Sequence, residues 1–157
     1  MVKSGEKWLK TYREEGTIMM IGEYSHSLDA KGRINFPAKF REELGEQFYV
    51  TRWLDDCLVV FPNSEWNRIS EILAEKSVVK SRDVLRYIYA SATQAEPDKQ
   101  GRILIPQNLR EHARIEKEVV VIGVGTHAEI WNKDAWAAMS ERMRSGPIIE
   151  AMEELEF

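Results

Sequence analysis

Two aspartate–arginine pairs carry the most pointed chemistry in this 157-residue chain: Asp29 with Arg33, and Asp98 with Arg102. Each pair spans four positions and holds a glycine, Gly32 or Gly101, directly before the arginine. A carboxylate can bond the backbone of its own turn, and a glycine supplies the positive φ that closes it. The arginine one step later is near enough to be held by the same carboxylate. A guanidinium aimed in this way is a tool for anions, because its planar fork offers parallel donors to phosphates and to base edges. Lys31 and Lys99 lie in the same two turns.

These turns sit in a sentence that the chain writes twice. At a shift of 69 residues, Asp29 to Glu42 falls on Asp98 to Glu111, and seven positions are identical: Asp29/Asp98, Gly32/Gly101, Arg33/Arg102, Ile34/Ile103, Pro37/Pro106, Arg41/Arg110 and Glu42/Glu111. At a shift of 70 the match continues, with Val50 to Trp66 on Val120 to Trp136. It pairs Val60 with Ile130, Phe61 with Trp131 and Trp66 with Trp136. Two copies are too few for a solenoid, so an internal pseudo-dimer closing one shared core is expected.

The elements that must position the turns follow the same pattern. Gly22 to Ser27 and Arg33 to Phe36 read as the arms of a hairpin around Asp29, and Pro37 opens a helix of two turns carrying Phe40 and Leu44 inward. Such a helix is too short to stand alone and needs the sheet. A second hairpin runs from Phe48 to Phe61, and helical spacing then places Trp66, Ile69, Ile72 and Leu73 on one face. A further helix begins near Ser81. The second copy repeats the order, with Trp136 and Met139 facing inward from a helix over Lys133 to Met143. Pro147 opens a last helix with an apolar stripe of Ile148, Ile149, Met152 and Leu155 beside an acidic face. Trp66, Trp136, Trp131 and Phe61 are expected in the core.

Bulk composition excludes several classes. Apolar content of 43% and charged content of 31% fit a soluble globule with one core. No apolar run approaches the roughly 18 residues of a membrane helix. The single Cys57 closes no disulfide within the chain, no secretory leader opens it, and the expected home is a reducing cytoplasm. One cysteine and three scattered histidines assemble no metal-ligand spacing, so neither metal nor cofactor is expected. The net charge of −4 argues against nucleic acid until its distribution is read. Asp29 to Arg41 has four basic residues against one acidic, Asp98 to Arg110 three against one, and Glu141 to Phe157 five glutamates against two arginines. The turns are basic and the tail acidic, which suits one face meeting phosphate.

A motif Asp-x-x-Gly-Arg-[apolar]-x-[apolar]-Pro-x-x-[apolar]-Arg, doubled and followed each time by a tryptophan-bearing helix, resembles the MraZ family of bacterial transcription regulators, within the AbrB-like group. The resemblance runs from about Ile21 to the C-terminus, and the chain departs from the family in its N-terminal extension. It implies an α+β fold in which two AbrB-like β-hairpin repeats close one pseudo-two-fold swapped-hairpin β-barrel with flanking helices. The implied organisation is an extension over 1–20, expected disordered, a repeat over 21–66, linking helices over 67–91, a second repeat over 92–137 and a helical tail over 138–157.

For function the resemblance implies a sequence-specific regulator, usually a repressor, of the division and cell-wall gene cluster including its own operon. Such a protein works in the cytoplasm on the nucleoid and binds tandem direct repeats of double-stranded DNA as a homo-oligomeric ring. No membrane or small-molecule substrate is implied. Carried over residue by residue, the DNA-contacting arginines fall on Arg33 and Arg102, with Lys31 and Lys99 in the same turns and Arg41 and Arg110 as a further basic position. Asp29, Gly32, Asp98 and Gly101 shape the turns. The residues support this directly, since lysines attract phosphate without regard to sequence and a held arginine discriminates a guanine edge by roughly 1–3 kcal/mol. Units spaced to match DNA would repeat at about 10 bp or a multiple.

Two other readings compete. Asp29 and Asp98 could form an acid–base dyad, but an arginine four residues after each favours the ionised form, whereas a dyad shares a proton; an enzyme is not expected. A structural or partner-binding ring without DNA recognition shares the assembly and lacks a use for the basic turns.

Overall fold

The computed structural model of the protein describes residues 18–75 and 78–157, so the disorder expected over 1–20 falls, for residues 1–17, outside the described residues. The chain runs β1 (Glu23–Ser27), β2 (Arg33–Asn35), α1 (Ala38–Leu44), β3 (Phe48–Arg52), β4 (Leu58–Pro62), α2 (Asn63–Glu75) and α3 (Val78–Tyr89). It continues through β5 (Thr93–Ala95), β6 (Arg102–Leu104), α4 (Gln107–His112), β7 (Glu118–Gly123), β8 (Ala128–Asn132), α5 (Lys133–Met143) and α6 (Gly146–Glu154).

Apolar runs rich in Val, Ile and Phe make inner strands such as β4 and β7, β1 and β5 are polar, and prolines stop the ribbon strands β2 and β6. Pro37 and Pro106 lead into α1 and α4, whose missing donors would have been unpaired in a first helical turn. Each of these short helices is pinned by apolar side chains, Phe40 and Leu44 in the first copy and Leu109 in the second. Asn132 caps α5 by accepting from the backbone N–H groups of Asp134 (2.8 Å) and Ala135 (3.1 Å).

Six strands form one antiparallel sheet in the order β1-β7-β8-β4-β3-β5, and β2 and β6 form a separate two-stranded ribbon. Exchanging the two copies turns β1 into β5, β7 into β3 and β8 into β4, so the order reads the same from either end. A pseudo-two-fold axis therefore runs through the sheet and the ribbon. In the ribbon Ile34 lies opposite Ile103, its own counterpart, since 103 − 34 = 69. In the sheet Val59 lies opposite Glu129, its counterpart at 129 − 59 = 70.

The arms flanking each turn are not paired with each other. β1 pairs with β7 and β2 with β6, and Asp29 N–H to Arg33 O (2.8 Å) is the backbone bond across the mouth of the first turn. The hairpin expected between Gly22–Ser27 and Arg33–Phe36 thus opens into an exchange of strands between the copies. Nor, among the described residues, do the hydrogen bonds run round a closed barrel: β1 and β5 are the ends of the sheet. The ribbon covers the open side with side chains instead, burying Ile34 (0% exposed) and Ile103 (1%). Backbone bonds extend the ribbon at both ends, with Phe36 N–H on Gly101 O and Ile105 N–H on Gly32 O, and each turn adds one of its own, Asp29 N–H to Arg33 O and Asp98 N–H to Arg102 O.

One face of the sheet packs on the ribbon, α1 and α4, with Phe36, Phe40, Phe48, Val50, Leu58, Ile105, Leu109, Val121 and Ile130 among the core. The other face carries a second cluster of Cys57, Val120, Ile122 and Trp131 against Trp136 and Met139 of α5. This division corrects the repeat alignment. Val50 and Val121 belong to the first cluster and Val120 to the second, so Val50 corresponds to Val121, at a shift of 71. A one-residue slip in a strand turns every side chain to the opposite face. The β3–β4 connection spans 53–57 and the β7–β8 connection 124–127, one residue shorter, which restores the shift of 70 from β4 onward.

Phe61 and Trp131 are buried as expected. Trp66 and Trp136 are half-buried rather than central: Trp66 stacks on Tyr49 with centroids 4.6 Å apart, and Trp136 Nε1 donates to Glu23 Oε1 at 2.7 Å. Their polar edges keep them at the margin.

Candidate nucleic-acid interface

Each turn is built by its aspartate. Asp29 Oδ1 accepts from the backbone N–H groups of Lys31 and Arg33, both at 2.9 Å, and its own carbonyl accepts from Gly32 N–H at 3.0 Å. Asp98 Oδ1 does the same for Gln100 and Arg102, both at 2.9 Å, with Gly101 N–H on its carbonyl at 2.9 Å. Gly32 and Gly101 take φ of 81° and 78°, a backbone state that a side chain disfavours. The second carboxylate oxygen then holds the guanidinium: Arg33 Nε to Asp29 Oδ2 is 2.8 Å, and Arg102 Nε to Asp98 Oδ2 is 2.9 Å.

These bonds set the charge state. The Arg33 backbone N–H, with help from its guanidinium and from Lys31 N–H, outweighs desolvation and holds the Asp29 carboxyl below the ordinary range. Arg102 and Gln100 do the same for Asp98. Both carboxyls are therefore ionised near neutral pH, and neither holds the proton that an acid–base dyad requires.

The ribbon decides where the arginines stand. Arg33 lies opposite Leu104, and Asn35 opposite Arg102. Residues directly opposite in an antiparallel pair share a face, and successive residues alternate. Ile34 and Ile103 point inward, so Arg33, Asn35, Arg102 and Leu104 make the outward face. The two guanidiniums thus emerge on one surface, on either side of the pseudo-axis, and are 28% and 27% exposed. They also share a counter-ion, with Arg102 Nη1 3.8 Å from Asp29 Oδ2. Because Nε is the atom committed to the turn, both Nη nitrogens of Arg33 have no protein partner among the described residues. Lys31 and Lys99 are exposed at the turn tips.

Arg41 and Arg110 are not on a solvated helix face. Both are half-buried, and each packs against the turn glycine of the other copy. A methyl group on Gly101 would collide with Arg41 Nη1, and one on Gly32 would lie 3.2 Å from Arg110 Cζ. Arg41 Nε also donates to Phe36 O at 3.1 Å, whereas Arg110 Nε is buried with no hydrogen-bond partner among the described residues. The glycines are needed for their φ and for this close approach. The structure makes these arginines braces between the copies as well as sources of positive charge.

Asn35 and Leu104 are the residues on this face that the motif did not single out. Asn35 is exposed and Leu104 is 56% exposed. The available signal was strict alternation after Gly32 and Gly101, which puts the third residue of each ribbon strand beside its arginine. Elsewhere, the described residues contain no group of three or more His, Cys, Asp or Glu placed to hold a metal, and no helix long and apolar enough to cross a membrane. Cys57 is buried, and burial, with Glu129 next, pushes its thiol up and leaves it unreactive.

Fold and site together define an α+β module made of two copies of one unit, with strands exchanged between them and a pair of clamped arginines on one face. A family profile described as "MraZ protein, putative antitoxin-like" matches residues 19–86 and again 88–155. The offset between these matches is 88 − 19 = 69, the shift of the doubled motif. Among similar curated proteins, the transcriptional regulator MraZ of Carboxydothermus hydrogenoformans is 52% identical over 120 residues, which cover 75% of this chain and 84% of that protein. The transcriptional regulator MraZ of Alkaliphilus metalliredigens is 46% identical over 142 residues, covering 87% of this chain and 99% of that protein. The chain belongs to the MraZ family.

Proposed function

We propose that this protein is a sequence-specific DNA-binding transcriptional regulator that works without enzymatic chemistry. The observation that carries this is the outward face of the ribbon, where two aspartate-clamped arginines stand together between exposed lysines. The major groove of B-DNA admits a two-stranded β-ribbon, and an arginine fork reads guanine there with two hydrogen bonds. Relatives over most of the chain are named transcriptional regulators, which supports the same reading. Lys31, Arg33, Lys99 and Arg102 contact DNA, Arg41 and Arg110 add charge from beneath the turns, and Asp29, Gly32, Asp98 and Gly101 fix the geometry.

The finer reading is a repressor of the division and cell-wall gene cluster, including its own operon, acting in the cytoplasm on the nucleoid. Several copies assemble as a ring, so that their ribbons meet tandem direct repeats. Helix α6 supports assembly: Ile149, Met152, Leu155 and Phe157 are exposed beside Glu150, Glu153 and Glu154. Exposed apolar side chains grouped in this way, on the helix and on Leu155 and Phe157 just after it, suit an interface. Within each copy, the swapped-hairpin arrangement is a barrel closed by packing of the ribbon. The two repeats occupy 21–66 and 92–137, with 1–20 and 138–157 outside them.

Footprinting on the DNA upstream of the chain's own gene, with light scattering on the same sample, tests this. Expected are protected direct repeats, affinity that falls steeply with salt, and a particle of several copies. An Arg33→Glu/Arg102→Glu variant should lose DNA and keep its assembly size. Absence of binding to every upstream fragment, with assembly intact, would favour the structural ring instead.

A further inference from the structure

The outward face of the ribbon is two-fold symmetric in its backbone and its arginines, but not in its remaining two residues. The pseudo-axis that exchanges Arg33 with Arg102 exchanges Asn35 with Leu104, since 35 + 69 = 104. Asn35 therefore stands directly opposite Arg102, and Leu104 directly opposite Arg33. Nothing in the fold asks for a leucine here. The ribbon's inward positions are filled by Ile34 and Ile103, and Leu104 is 56% exposed on a face otherwise made of charged and amide groups. The tips differ as well, with Lys31 in one turn and Gln100 in the equivalent place of the other.

Resting on the DNA-binding reading above, we infer that Asn35 and Leu104 are specificity-determining residues that make the two halves of the ribbon read different bases. An asparagine amide offers a donor and an acceptor to the N6 and N7 of adenine, while an apolar side chain meets the C5 methyl of thymine and excludes water from it. The Arg102/Asn35 half reads a hydrogen-bonding edge, and the Arg33/Leu104 half reads a methyl. A face with this composition has a direction. The unit of DNA bound by one copy is not a palindrome, and each copy lies on the duplex in one orientation only.

The test begins with sites selected by the full chain from a random duplex pool. Each thymine of the selected duplex is then replaced by deoxyuridine, which removes the C5 methyl and nothing else. For the unaltered protein, one such replacement weakens binding about fourfold, the effect of one buried methyl group. The same replacement has no effect on Leu104→Ala. Asn35→Ala loses about tenfold of its preference at a different position, an adenine. Leu104→Asn, which makes the face symmetric, shifts selection toward a unit with dyad symmetry. Because Leu104 and Asn35 are both exposed, these variants keep the fold, and unfolding midpoints equal to that of the parent confirm it.

A selected unit that is already palindromic would overturn the inference while leaving DNA binding in place. So would a deoxyuridine scan that is flat, or equally deep in Leu104→Ala. Failure to select any duplex would instead remove the function on which it rests.

Discussion

The two turns are the same device set in unequal surroundings. Asp29 bonds its own Arg33 and also stands 3.8 Å from Arg102, whereas Asp98 forms an ion pair, among the described residues, with Arg102 alone. Arg41, braced on the second turn, bonds a carbonyl, and Arg110, braced on the first, has no acceptor for its Nε among the described residues. The core is unequal too: Phe36, Phe40 and Leu44 in the first copy stand where the second has Ile105, Leu109 and Ala113. The copies share what the backbone requires, namely Asp, Gly, Arg and Pro. They diverge where side chains fill a common interior or face outward. One half brings bulk and the other leaves room, so that a pseudo-symmetric frame encloses a single close-packed core.

The sharpest break in this comparison is loss of the arginines. Arg33→Ala and Arg102→Ala should each weaken specific DNA binding about 10- to 100-fold, measured by fluorescence anisotropy, and affect random DNA less. Next comes the turn backbone. Gly101→Ala meets both a positive φ and the Arg41 guanidinium, and should lower unfolding stability by about 1–3 kcal/mol in urea denaturation. Gly32→Ala, with 3.2 Å to Arg110, should lose less.

Smaller again is the effect of the carboxylates. Asp29→Asn should weaken DNA binding a few-fold and exceed Asp98→Asn, because Asp29 serves both guanidiniums, while solvent screening keeps each of these partly exposed pairs weak. The pH dependence has a definite sign. Both carboxyls are held below the ordinary value, so their support of the turns is complete above about pH 4 and is lost as pH falls through the lower folded values. The stability gap between the parent and the double Asp29→Asn/Asp98→Asn variant should therefore be level from about pH 5 to 8 and close in acid. The smallest expected change is Lys31→Gln, which makes the first tip resemble the second. It should reduce the slope of log affinity against log salt by about 0.9, one phosphate contact, without changing base preference.

The turns were legible in the sequence because their chemistry is local. Aspartate, glycine and arginine at fixed spacing specify hydrogen bonds within five residues, and the structure has them in both copies. What the turns join was implied by the family resemblance, with its swapped hairpins, and not by the residues themselves. Whether β2 returns to β1 or crosses to β6 depends on contacts about 69 residues away, and alternation of apolar residues is the same in either case. The register of β3 was misread for a related reason: Val119 to Ile122 is apolar on both faces because both are covered, which removes the alternation that fixes a register. Leu104 was hidden within the apolar run Ile103-Leu104-Ile105, where an outward leucine looks like a buried one. Arg41 and Arg110 were singled out as a basic position, but their bracing role was not legible, because the glycine each one covers belongs to the other copy.

The reciprocal bracing of Arg41 on Gly101 and Arg110 on Gly32 bears on how such a chain can be divided. Cutting the polypeptide between α2 and α3 would release two fragments, each lacking the strand partners and the guanidinium that complete its loop. Neither fragment would offer a reading surface until it met its complement, so mixing them would restore activity with second-order kinetics. The link between the halves acts as a fixed local concentration, so that completing the reading surface does not depend on how much of the chain is present.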